Sequence, residues 1–133
     1  MKYEELTHGI IGCAMRVHST MGNGFQEMIY QNCLEIEFRE NDIGFAREYN
    51  MPIFYHGHQV GTRRVDFLVE GVLSVEIKAV SLLTDVHIAQ AINYLEAYEL
   101  ETGLLLNFGG MKLEYKRVFN KKMNKNKDAQ DKD

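Results

Sequence analysis

The stretch Arg64-Val65-Asp66-Phe67-Leu68-Val69-Glu70-Gly71-Val72-Leu73-Ser74-Val75-Glu76-Ile77-Lys78 decides the fold. Apolar and polar residues alternate on both sides of Glu70-Gly71. Val65, Phe67 and Val69 alternate with Arg64, Asp66 and Glu70; Leu73, Val75 and Ile77 alternate with Ser74, Glu76 and Lys78. A period of two marks a half-buried strand, so two strands are expected over roughly 59–69 and 72–80, odd residues facing the core. A two-residue loop at Glu70-Gly71 would pair 69 with 72 and set odd beside even. A three-residue loop over 69–71, with Gly71 in the left-handed conformation of a G1 bulge, restores odd beside odd. That register sets Asp66 opposite Ser74 and diagonal to Glu76, with ~7–8 Å between diagonal Cα atoms. Glu76 and Lys78 are two apart and share a face.

The period changes on moving outward. Leu6, Ile10, Cys13, Ala14, Val17 and Met21 recur at helical spacing and predict a helix over 3–20. Met21-Gly22-Asn23-Gly24 breaks it. Phe25, Ile29, Cys33, Ile36 and Phe38 suggest a second helix over 25–41. Phe45–Tyr55 reads as a strand with an edge or bulge at Pro52, and His56-Gly57-His58 as a turn. Ile88, Ala91, Ile92, Leu95 and Tyr98 restore the helical period over 85–101, with Gly103 as the C′ glycine. Leu104–Phe108 is a continuous apolar run, expected of a buried strand, and Lys112–Phe119 is a last strand. The order is helix, helix, three strands, helix, two strands. It implies a mixed α/β fold whose central sheet of about five strands combines an antiparallel meander with one parallel crossover. One domain over 1–119 and a disordered tail over 120–133 are expected.

The 133 residues suffice for one ordinary domain. The net charge of −4 does not attract nucleic acid in bulk, so any such partner must be held locally. Cys13 and Cys33 lack metal-site spacing and read as small buried thiols. No stretch is long enough to span a membrane and no signal-like segment opens the chain, so a reduced, cytoplasmic protein is expected.

Charged residues on a strand among Val, Leu and Ile are costly unless partnered. Asp66 and Glu76 converging beside Lys78 suit a hard divalent cation. Mg²⁺ needs only one or two carboxylates plus waters and substrate phosphate oxygens. It lowers the pKa of a bound water and stabilises charge on an attacked phosphate, while a nearby lysine orients or stabilises. As a bare string Asp-x9-Glu-x-Lys is weak; the strand register strengthens it.

At these residues the chain resembles a known group. Val65-Asp66 with Val75-Glu76-Ile77-Lys78-Ala79 is similar to the core of PD-(D/E)XK nucleases, with Val65 where proline stands in the name. Gly24-Phe25-Gln26-Glu27-Met28-Ile29-Tyr30 resembles the G-x-x-E-x-x-Y signature of the GxxExxY family. His87–Gln90, Asn93–Leu95 and Gly103–Gly109 are also similar to that family. The resemblance covers roughly 3–119 and implies a restriction-endonuclease-like core that cleaves phosphodiester bonds of DNA with Mg²⁺ or Mn²⁺ and an activated water. By resemblance, Asp66, Glu76 and Lys78 are catalytic. Asp66, Glu76, the Ile77 carbonyl and Glu27 would hold the metal. Gln90 and Tyr94 look like the Q-x-x-x-Y element of RecB-type nucleases and, with Tyr30, would meet substrate.

Simpler readings stand beside these. Glu27 could serve the helix dipole and Tyr30 could simply pack. Gln90 and Tyr94 could be a polar pair on one helical face. Arg64 could hold a phosphate or pair with Glu76. His56 and His58 read as solvated turn residues, and His87 could face the site or the surface. The Lys-rich tail could grip a phosphate backbone or merely solubilise. The alternative to a nuclease is a non-catalytic nucleic-acid-binding or protein-interaction module; small size and net acidity suit a homodimer or protein partner. No nucleophile elbow or phosphate-binding glycine loop supports another enzyme class.

Overall fold

A computed structural model describes residues 3–123. Helices α1 (Glu4–Met21) and α2 (Glu27–Glu40) precede strands β1 (Phe45–Tyr55), β2 (His58–Val69) and β3 (Leu73–Lys78). Helix α3 (Asp85–Ala97) and strands β4 (Thr102–Asn107) and β5 (Glu114–Phe119) complete the fold. The five strands lie in the order β1-β2-β3-β4-β5. The β3–β4 pair is parallel and the other pairs are antiparallel.

Helices cover both faces of this sheet. Phe67, Val69, Leu73, Val75, Ile77, Leu104 and Leu106 pack against Ile10, Cys13, Ala14 and Val17 of α1 and Tyr30, Leu34 and Phe38 of α2. On the other face Ala91 and Leu95 of α3 pack with Val118. Tyr30 is wholly buried; it stacks on Phe108 at 4.7 Å, donates its hydroxyl to the Gly22 carbonyl and accepts from the Phe25 N–H. Cys13 is buried and Cys33 half-buried, both as free thiols.

Two sequence expectations need correction. Gly103 does not end α3. The left-handed residue is Glu99 (φ 53°), and the Leu100 N–H donates to the Leu95 carbonyl, a Schellman closure. Gly103 lies within β4, where a Cβ would collide with the Ser74 hydroxyl and approach Leu95 and Val118 at 3.1 Å each. The β2–β3 turn is also displaced. The Val72 N–H donates to the Val69 carbonyl, and the central residues Glu70 (φ 53°) and Gly71 (φ 70°) both have positive φ, as in a type I′ turn. Val72 is then the extra residue and Val69 pairs with Leu73. Odd still faces odd, but the register is two residues from the expected one.

The expected tail lies mostly outside the described residues. Its first residue, Asn120, is buried, and its side chain donates to the Leu95 carbonyl at 3.1 Å.

Candidate active site

The register brings the carboxylates together more directly than the sequence reading had it. Phe67 pairs with Val75; one step further sets Asp66 against Glu76 rather than Ser74. The Asp66 carboxylate accepts the Ile77 N–H at 2.7 Å, so the side chain takes over where the backbone ladder stops. Glu76 is 9 % exposed. Both point away from the α1/α2 core, because their neighbours Phe67, Val75 and Ile77 fill it. Lys78 is half-buried on the same strand face.

Burial pushes both carboxyls above their ordinary pKa. For Asp66 the Ile77 N–H, Lys78 and Arg64 pull back, while Glu48 pushes further up. For Glu76, Arg63 and Lys78 pull back, and Asp66 pushes up. Two carboxyls whose proton affinity is raised by burial, in a sheet of Val, Leu and Ile, form a hard-oxygen donor set. That donor set fits a divalent cation. Among the described residues no group of three or more His, Cys, Asp or Glu is placed to hold a metal ion.

The remaining predicted residues divide. Glu27 is the exposed first residue of α2 and does not join the pair. The Tyr30 hydroxyl is committed to the α1–α2 connection on the opposite side of the sheet. Arg64 does not pair with Glu76; it is exposed, 3.8 Å from Glu48. Arg63 takes that place, with Nη2 at 3.2 and 3.4 Å from the two Glu76 oxygens. Its Nη1 donates to the Gln90 carbonyl at 2.7 Å, and its guanidinium lies 5.6 Å over the Tyr94 ring. Gln90 thus meets the cluster through its backbone, with an exposed side chain. Tyr94 is fully buried, and burial pushes its hydroxyl far above the usual range. His87 caps α3 with Thr84.

Parity misassigned the arginine because the hairpin twists. Pairing skips Glu48, which has φ 53°, between Arg47↔Phe67 and Tyr49↔Val65. Two-stranded ribbons twist strongly. Beyond that point Met51 and Arg63 turn onto α3, whereas Phe45 and Phe67 face α1 and α2. Sequence reading also missed Glu48 itself, which lies across from Asp66, and Asn107. Asn107 is fully buried. Its side chain accepts the Val80 N–H and donates to the Val80 carbonyl, each at 2.9 Å, fixing the chain just past Lys78. The signals available were its place as the polar residue of the run Leu104–Phe108 and within the family-like stretch Gly103–Gly109.

The raised Asp66 pKa has a stability consequence. A folded-state pKa above the unfolded value means stability is greatest with the proton on and falls as pH rises through the folded pKa. Asp66→Asn keeps an acceptor for the Ile77 N–H. In EDTA at pH 7 it is expected to melt above wild type, with the gap closing as pH falls towards ~4. Added Mn²⁺ is expected to raise the wild-type melting temperature more than the variant's. A variant melting below wild type at pH 7 in EDTA would show that the Lys78 and Ile77 contacts outweigh burial.

Comparison with known proteins accords with this geometry. No curated protein matches the sequence. A solved structure titled "Crystal structure of SSO0001" superposes with a TM-score of 0.55 at 17% identity, over 89% of this chain and 60% of that one. The chain therefore spans about three fifths of that structure's length, and the likeness is one of fold. The profile of the PD-(D/E)XK nuclease superfamily matches residues 4–118, which takes in both helices ahead of the sheet, strands β1 to β4, β5 but for Phe119, and the Asp66–Glu76–Lys78 cluster. With a match over nearly all of the described residues, the protein belongs to the PD-(D/E)XK nuclease superfamily.

Proposed function

We propose that the protein is a Mg²⁺- or Mn²⁺-dependent nuclease that hydrolyses phosphodiester bonds of DNA. The observation that carries this reading is the direct apposition of Asp66 and Glu76 on adjacent strands, with Lys78 on the same face. Asp66, Glu76 and the Ile77 carbonyl would hold the cation. Bound there, the cation supplies Lewis-acid stabilisation of phosphate charge and a more acidic water. Arg63 orients Glu76 and neutralises it between turnovers. Tyr94 and the Gln90 carbonyl hold Arg63 in place. Lys78 presents its ammonium to the scissile phosphate. Glu27 and Tyr30 have no part in this arrangement, and Arg64 acts on it through its charge at Asp66.

Within the superfamily, the Gly24–Tyr30 run supports assignment to the GxxExxY proteins. Among the described residues no helix is long and apolar enough to cross a membrane. The two free thiols suit the reducing cytoplasm, where we place the protein's action.

The test is cleavage of labelled single- and double-stranded DNA with Mg²⁺, Mn²⁺ or EDTA, comparing wild type with Glu76→Ala. Cleavage that needs metal and vanishes in the variant is expected. Cleavage that persists in Glu76→Ala would reject the site. A folded wild type that cuts nothing with either metal would favour the binding-module alternative.

A further inference from the structure

The β1–β2 hairpin outruns the sheet. β2 pairs with β3 over Phe67–Val69 but with β1 all the way out to Tyr55↔His58. Its outer part is a two-stranded ribbon, a form marginal by itself. Its base is fastened to α3: the Tyr98 hydroxyl donates to the Met51 carbonyl at 2.7 Å, and the Tyr94 hydroxyl lies 3.3 Å from the Met51 sulfur. Beyond that anchor, Phe54, Tyr55 and Val60 are 60%, 64% and 64% exposed. The Tyr55 ring stacks on His56 at 4.1 Å. No Asp or Glu occurs from Tyr49 to Val65, whereas His56, His58, Arg63 and Arg64 do. In a chain of net charge −4 this is an aromatic stretch free of carboxylates; its two formal cations, Arg63 and Arg64, lie at its base beside Glu76 and Glu48, where it meets the carboxylate pair.

We propose that this ribbon is the docking arm for a single-stranded stretch of nucleic acid, which it leads to Asp66 and Glu76. The identity of the partner rests on the nuclease reading above. Exposed flat rings offer faces on which bases stack, and no carboxylate on the ribbon repels the phosphates between them. A duplex groove presents base edges instead, so the rings favour an unpaired strand. Asp66 stands eight positions along β2 from His58. At ~3.3 Å per residue the arm spans ~26 Å.

The test is anisotropy of dye-labelled oligo-dT of about 20 nucleotides, longer than the ~4–16-nucleotide sites of comparable grooves, in EDTA. An oligo-U strand and a duplex of equal length are run beside it. Wild type is expected to bind the single strands above the duplex. The Phe54→Ala/Tyr55→Ala variant is expected to lose about 5- to 150-fold in affinity per stacked base removed. Phe54→Tyr retains affinity and Phe54→Leu does not, which separates stacking from mere apolar bulk. In cleavage, KM rises for the double variant while kcat is unchanged. Equal binding by wild type and the double variant, or no binding of any strand by wild type, overturns the proposal. So does a dimer that dissociates in the variant without change in oligo-dT affinity, which would make the ribbon an interface between copies. Failure of the nuclease reading is separate: cleavage absent or unaffected by Glu76→Ala, with oligo-dT binding still dependent on Phe54 and Tyr55, leaves the arm standing.

Discussion

Lys78→Ala is expected to lower metal-dependent DNA cleavage by about 10²- to 10³-fold, the usual cost of removing one fixed electrostatic stabiliser of transition-state charge. Lys78 is the last residue of β3, two beyond Glu76, and lies near enough to both carboxyls to lower their proton affinity. Its backbone is held independently: Lys78 pairs with Asn107 across to β4, and its carbonyl accepts the Phe108 N–H at 2.9 Å. The variant should therefore keep its fold, and its melting temperature should stay within a few degrees of wild type. The loss should fall on kcat, since the ammonium acts where charge develops and the strand-binding surface is elsewhere. Lys78→Arg keeps the charge but places it on a longer, planar group, and is expected to recover only part of the rate. Full activity in Lys78→Ala would remove the lysine from the mechanism.

Gly109→Ala is expected to cost at least ~3 kcal/mol, among the larger effects of a single substitution. A Cβ there would collide with the Val80 carbonyl oxygen and lie 2.5 Å from the Val80 nitrogen and 2.7 Å from the Ala79 carbonyl carbon. These are backbone atoms, so no rotamer change relieves the contact. Nor is the segment free to retreat, because the buried Asn107 side chain grips Val80 by both backbone groups, accepts the Gly109 N–H at 3.1 Å and donates to Glu114 at 3.0 Å. At ~4 °C per kcal/mol for a chain of this size, the melting temperature should drop by ~12 °C or more. Cleavage should suffer as well, since Val80 lies two residues beyond Lys78 on the same backbone. A Gly109→Ala protein that melts like wild type would show that the β3 exit is not clamped.

Most elements were legible because their period is local. The helical repeat of Ile10, Ala14 and Val17 and the alternation of Val65 to Ile77 record which face is buried, and burial follows from neighbours a few residues away. Glu76 and Lys78 were legible for the same reason, sharing one strand face. The end of α3 was not, because Gly103 serves close packing against Ser74, Leu95 and Val118 rather than a left-handed turn, and Glu99 took that conformation. No local pattern distinguishes the two uses of a glycine.

The sequence by itself determined the element order, the buried faces and the parity that puts Asp66, Glu76 and Lys78 together. Only the tertiary structure decided that Asp66 stands beside Glu76, because the β2–β3 register depends on one extra residue at Val72. It alone assigned Arg63 rather than Arg64 to Glu76, left Glu27 outside the pair and turned the Tyr30 hydroxyl inward. Those outcomes depend on the twist of the β1–β2 ribbon and on how α3 crosses it. Strand parity cannot encode such twist, because it accumulates from contacts between segments far apart in the chain.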